Sequence, residues 1–227
     1  MIDRRWVQAG GGAGVLSFVL VALSFVVNSP NAPDSNAGIK VITTYLTANR
    51  DAMLTADVLV VAAAAVIIWY GATLARLLHE CDDRTPLGTI LLGVATAMAV
   101  FFTWDGLSLT LLAFLSKQPA GLADTSAVRA FYDLYNGVVM PGGFGFLAAI
   151  YLTVIGIAMV RRTFAAPWLG YLSLIFAPLS VVGAVLGLTL TDGGTVSPLS
   201  FAPAIGSMVV VVISSIFMLR YLPPVAG

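Results

Sequence analysis

The chain has 227 residues, 59% of them hydrophobic and only 10% charged, with a mean hydropathy of +0.97. A soluble domain usually carries about a quarter charged residues and roughly half apolar ones, so water is excluded as the solvent for most of this surface. Eleven Lys and Arg balance eleven Asp and Glu without forming a basic patch, which excludes a nucleic-acid partner, and the single cysteine, Cys81, excludes an intrachain disulfide or a cysteine metal framework.

The apolar residues come in long blocks, and a spanning helix needs roughly 20 of them. Six segments qualify, near 10–28, 54–78, 87–115, 131–160, 168–190 and 200–221. The expected fold class is therefore all-α: a polytopic transmembrane bundle of six spanning helices, forming a single membrane domain over residues 1–227 whose first partner is the lipid bilayer.

The first segment follows Arg4 and Arg5 and begins like a secretory signal. The apolar stretch from Gly10 to Val27 is long for a signal core and no Ala-x-Ala site follows, so a retained anchor is expected. After it, Pro30, Pro33 and Asp34 end one element. Ser35 or Asn36 is placed to cap a new one carrying Ile39, Ile42, Tyr45 and Leu46 on one face, the pattern of an amphipathic interfacial helix.

The third segment is longer than a ~30 Å hydrocarbon core requires, so it must tilt, break or emerge from the bilayer, and Gly106, directly after Asp105, is the natural place for a break. The fourth carries Pro141, Gly142 and Gly143 near its middle, where proline removes a helix hydrogen bond, and a hinge is expected there. Lys and Arg set the orientation. With the N-terminus inside, seven of the eleven (Arg4, Arg5, Arg76, Arg84, Arg161, Arg162, Arg220) are cytoplasmic and four (Lys40, Arg50, Lys117, Arg129) are outside, favouring N-in/C-in.

The amphipathic stretch ending in YLTANRDAML, the segment DLYNGVVMPGGFGF and the run APWLGYLSLIFAP together resemble a group of uncharacterised bacterial, largely actinobacterial, six-helix integral membrane proteins. The resemblance covers nearly the whole chain. It implies a multi-pass protein of the bacterial cytoplasmic membrane and transfers no catalytic residue.

Ionisable groups inside a bilayer cost about 2.5–3.5 kcal/mol each at a helix centre on insertion scales, so each needs a reason. Asp57 and Asp105 stand inside the spans, both in the outer half, with Asp51, Asp133, Asp192, Arg50 and Arg129 on the same side. Together with Trp104, Tyr132, Asn136 and further lining from Asn49, Thr55, Thr103 and Tyr135 they outline one outward-facing polar pocket for a proton, a cation or a small ligand. A carboxyl stripped of water favours its protonated form, whereas one opposite Arg129 or Arg50 stays ionised. The bland reading puts Asp57 and Asp133 at helix N-terminal turns, where a carboxylate complements the dipole, and leaves Asp105 in headgroups beyond a helix ending at Gly106.

His79, Glu80, Cys81, Asp82 and Asp83 read as a solvated loop, because five adjacent residues cannot converge on one ion. No nucleophile-and-base arrangement, phosphate loop or dinucleotide fingerprint is present, so nothing points to a cofactor and an intramembrane enzyme ranks last. Gly10-x-x-x-Gly14 and Gly183-x-x-x-Gly187 permit close helix packing within the chain, in a homo-oligomer or against a membrane-protein partner. The functional expectation is binding or transport of a small molecule, ion or lipid through the outer pocket, the alternative being a structural or accessory membrane subunit.

Overall fold

Backbone groups in hydrocarbon have no water to bond, so apolar runs of this length coil into helices that satisfy themselves internally. The computed structural model describes residues 3–28, 33, 37–81, 85–115, 125–134, 144–161, 166–189 and 202–220, and among them every regular element is a helix. In chain order these are α1 (Arg4–Asn28), α2 (Ile39–Ala48), α3 (Arg50–Cys81), α4 (Leu87–Leu115), α5 (Thr125–Asp133), α6 (Phe144–Val160), α7 (Pro167–Thr189) and α8 (Ala202–Leu219). Four of them, α1, α3, α4 and α7, are long and apolar enough to cross a membrane. The chain is a helical membrane protein. The apolar stretches of α6 and α8 are shorter, at Phe144–Val160 and Pro203–Leu219.

Helices adjacent in sequence are adjacent in space. α1 packs on α3, α3 on α4, α4 on α6, α6 on α7, α7 on α8, and α8 returns to α1, closing a ring. α6 also reaches α8 across its middle. Glycines set the closest approaches. Gly10 lies against Thr73 and Gly14 against Tyr70 and Ser215, so α1 runs antiparallel to both α3 and α8 with no room for side chains at these two positions. The Gly10/Gly14 pair therefore serves packing within the chain. Gln8 Nε2 donates to the Leu219 carbonyl at 3.1 Å, which brings the start of α1 and the finish of α8 to the same end of the ring.

The ring's core holds Tyr70, Leu74, Leu77, Leu91, Leu152, Ile155, Met159 and Leu169, all fully or nearly fully buried. Its outside is equally apolar: Val26, Val58, Val100, Leu107 and Ile175 are each more than half exposed. Large exposed side chains spread over all six helices of the ring in this way are what a lipid-facing surface requires, and they would be costly in water at about 25 cal/mol per Å².

A second, smaller cluster of Ile42, Leu46, Met53, Leu112, Ala113, Val128 and Tyr132 joins α2 and α5 to the start of α3 and the end of α4. This is a cap on one end of the α3/α4 pair. The amphipathic spacing puts Ile42 and Leu46 of α2 inward as expected. The helix starts after Gly38, which adopts an extended backbone and contributes no side-chain cap. Ser35 and Asn36 lie outside the described residues.

Three expectations require correction. α4 runs unbroken through Gly106 to Leu115, because a glycine removes no backbone donor and neighbouring helices supply the packing that holds the chain helical. α3 begins at Arg50, not near 54, so Asp57 stands about two turns inside it and not in its first turn. Within the segment expected as one span over 131–160, the described residues are the end of α5, which starts earlier at Thr125, and α6 from Phe144, while residues 135–143 lie outside the described residues. Asp133 is thus the last residue of α5 and not an N-terminal one. The hinge residues Pro141, Gly142 and Gly143 lie outside the described residues. α7 also carries Pro178 in its interior, tolerated where bundle neighbours surround the backbone.

Candidate functional site

The buried face of α3 near its start follows the spacing of helical neighbours, Met53, Ala56, Asp57 and Val60. Four positions that lie on one side of the helix therefore carry three apolar side chains and one carboxylate. The facing stretch of α4 buries Asp105, Ser108 and Leu112 in the same manner. Asp57 is 8% exposed and Asp105 3%. The two helices touch at Gly106, whose missing side chain leaves the space that the Asp57 carboxylate occupies, with the Val61 methyl Cγ2 3.0 Å from where a Cβ would stand. Gly106 directly follows Asp105, so the two buried acids occupy facing positions at this contact.

Each acid keeps Oδ1 buried with no hydrogen-bond partner among the described residues. Neither has an ion pair among those residues. Two like unit charges 4 Å apart repel by about 4 kcal/mol at an effective dielectric of ~20, in addition to the cost of taking each from water. A buried pair of this kind calls for something that offsets its charge and donates to its idle oxygens.

The arginines expected beside the acids are engaged in the cap. Arg50 donates from Nε to the Ala113 carbonyl at 3.1 Å and pairs with Asp51 at 3.2 Å. Arg129 donates from Nε to Asp133 Oδ2 at 2.7 Å and from NH1 to the Ala37 carbonyl at 2.8 Å. Tyr132 donates to the Pro33 carbonyl at 2.5 Å. Asn49 donates from its amide to the Tyr45 carbonyl, closing α2. These residues clasp α2, α5 and residues 33–37 to the ends of α3 and α4. Ala113 lies eight residues beyond Asp105, about 12 Å along α4, so the clasp sits above the acids toward that end of the bundle.

Trp104 is 56% exposed and points away from the bundle, although its neighbour Asp105 is buried. Thr103 and Ser108 donate to the Ala99 and Trp104 carbonyls of their own helix, and Thr55 to the Asp51 carbonyl. The expected pocket residues are thus placed in three settings: Asp57 with Asp105 between helices, Arg50, Arg129, Tyr132 and Asp133 in the cap, and Trp104 on the outside. Tyr135, Asn136 and Asp192 lie outside the described residues. At the opposite end of α3, Glu80 pairs with Arg76 at 3.3 Å. No group of three His, Cys, Asp or Glu able to hold a metal occurs among the described residues.

One buried polar feature was not anticipated. The Tyr70 hydroxyl lies 2.9 Å from the Tyr151 hydroxyl and 2.6 Å from Ser214 Oγ, joining α3, α6 and α8 in the ring's centre. Ser214 donates its proton to the Val210 carbonyl at 2.6 Å, so Tyr70 donates to Ser214 and Tyr151 to Tyr70. The legible signal was a spacing of seven: Ser17 and Ser24, Ser173 and Ser180, Ser207 and Ser214 are all buried, one pair on each of three helices. Small hydroxylated residues two turns apart permit close helix contact while bonding their own helix carbonyls.

Compared with known proteins, the chain matches no family, no curated protein and no solved structure.

Proposed function

We propose that this chain is a six-span membrane protein of the bacterial cytoplasmic membrane, with both ends inside, whose Asp57/Asp105 pair binds a small cation or a proton reached from the outer face. Binding at such a pair is the elementary step of an ion- or proton-coupled transporter, which is the activity the geometry supports best. The single observation that carries it is the pair of buried, unpartnered carboxylate oxygens on adjacent spanning helices. Intramembrane acids that face the bundle interior mark ion pathways and proton relays as a rule. Closure of a six-member helix ring, with the start of α1 bonded to the finish of α8, supports an even number of crossings. The distribution of Lys and Arg supports the inward position of both ends.

A structural or accessory subunit is the competing reading. It is favoured by the engagement of the cap arginines in fold contacts, but it gives no reason for placing two acids where lipid and protein surround them.

The test is thermal unfolding of the purified protein in nanodiscs, across pH and in sodium, potassium, magnesium or choline salts. The wild type is expected to show a melting temperature that depends on proton or cation concentration, and D57N/D105N to lose that dependence. Identical profiles for the two proteins would contradict the proposal.

A further inference from the structure

The proposed cation or proton site leaves its occupant open, and the surroundings of the acids decide between the choices. A hard metal cation takes about six oxygens at roughly 2.0–2.6 Å. Intramembrane ion sites usually draw such oxygens from broken helices whose unwound carbonyls are free. Here α3 and α4 are both continuous past the acids, so the local carbonyls remain in the helix ladders. The nearby hydroxyls of Thr55, Thr103 and Ser108 are turned to carbonyls of their own helices. Gly106 brings only a backbone methylene and Val61 only a methyl group. Among the described residues that leaves the two carboxyls, with at most four oxygens between them, too few for a cage.

Among the described residues, the charged and titratable groups on the elements around the pair also supply no counterion. α1 carries Arg4 and Arg5 at its far end and no ionisable side chain from Gly10 to Asn28. α6 carries only Tyr151, which is bonded to Tyr70. On α3 the nearest are Asp51 and Arg50, paired with each other. On α5 they are Arg129 and Asp133, likewise paired, together with Tyr132, and on α2 Lys40 and Tyr45, all on the cap.

We infer, resting on the site reading above, that the occupant is a single proton held between the Asp57 and Asp105 carboxyls, so that the pair works as a proton-binding dyad. Binding forms one O–H bond, using a carboxylate lone pair and a proton delivered by hydronium from the outer water, which leaves as water. One proton removes the like-charge repulsion and supplies the donor that the two idle Oδ1 atoms lack. The second carboxylate is then held by its neutral neighbour, as in other paired carboxyls that share a proton.

Two measurements on the wild-type protein in nanodiscs test this. An apolar carbodiimide, which reacts with protonated carboxyls in apolar surroundings, is applied and the peptides are read by mass spectrometry. The expected result is one adduct per chain, on Asp57 or Asp105, formed roughly tenfold or more slowly at about pH 9 than at about pH 6. Replacing choline chloride by sodium, potassium or magnesium chloride at the same ionic strength leaves the rate unchanged. Infrared spectroscopy needs no reagent access, and the protonated-carboxyl stretch it records is expected in the wild type and absent from D57N/D105N. Protection by a metal salt would overturn the proton while leaving the binding pair standing. Absence of the infrared band at every pH, with salt-dependent melting retained, would do the same. Absence of the band together with identical melting profiles for wild type and D57N/D105N would overturn both.

Discussion

A side chain at Gly106 of α4 would overlap the Asp57 carboxylate of α3. The absence of a Cβ there is what admits the acid between the helices. Gly106→Ala is therefore expected to destabilise the protein by about 1–3 kcal/mol, the usual cost of overpacking. In D57A/G106A the carboxylate is gone and only the Val61 methyl remains close, so the alanine at 106 should cost less there than alone. Unfolding in bicelles for the four members of this cycle measures the difference, and simple additivity would show that Asp57 does not lie against Gly106.

On α1, neighbouring glycines separate packing from mere presence. Gly14 faces Ser215 and the Tyr70 ring, whereas Gly12 has nothing within 4 Å of where a Cβ would stand. Gly14→Val should lower the melting temperature sharply or prevent folding, while Gly12→Val should leave it within a degree or so, equivalent to a few tenths of a kcal/mol. Equal effects at the two sites would contradict the packing of α1 against α3 and α8.

In the ring's centre, Tyr70 both donates and accepts, while Tyr151 only starts the chain of hydroxyls. Tyr70→Phe removes the hydroxyl that contacts both Tyr151 and Ser214, so it should cost about 1–2 kcal/mol, and Tyr151→Phe less. Thermal or detergent unfolding of the two variants checks the order.

In the cap, Arg129 ties Asp133 and residue Ala37 together. Arg129→Lys keeps the charge but loses the planar fork, so hydrogen exchange over 37–48 and 125–134 should speed up severalfold while α7 and α8 are unaffected. Unchanged exchange in the cap would remove the clasp from the account.

Tyr45, on the cap helix α2, has its phenol pushed up from the usual 10.0 by burial. Its folded value lies above its unfolded one, so its contribution to stability is fully present and constant well below pH 10, and the cap loses it as pH rises through and beyond that point. The ionised phenolate can no longer donate to the Asn28 carbonyl, 3.3 Å away. Tyr45→Phe is expected to blunt the alkaline loss expected of the wild type, and an equal loss in both would exclude Tyr45 as its source.

Much of this fold is written plainly in the sequence, because long apolar runs allow few alternatives to helices in lipid. The inward face of α2 is legible from Ile42 and Leu46 for the same reason of spacing. The settings of the polar residues are not legible. Arg50 and Arg129 share a side of the membrane with Asp57 and Asp105, yet their hydrogen bonds run to the carbonyls of Ala113 and Ala37, which only tertiary contact reveals. Gly106 reads as a helix breaker in one dimension and turns out to be a packing position in three. The helix dipole explanation for Asp57 failed because Arg50 and Asp51 look like the end of a loop and are the first residues of α3.

The most direct test of the central claim is the unfolding free energy of D57N/D105N against wild type at neutral pH in bicelles. Two buried acids that share one proton still leave a desolvated negative charge between the helices, so their replacement is predicted to leave stability unchanged or to raise it, by about 1–4 kcal/mol, while proton- or cation-dependence disappears. A loss of more than about 1 kcal/mol would mean that the acids hold the helices together, and it would contradict the account.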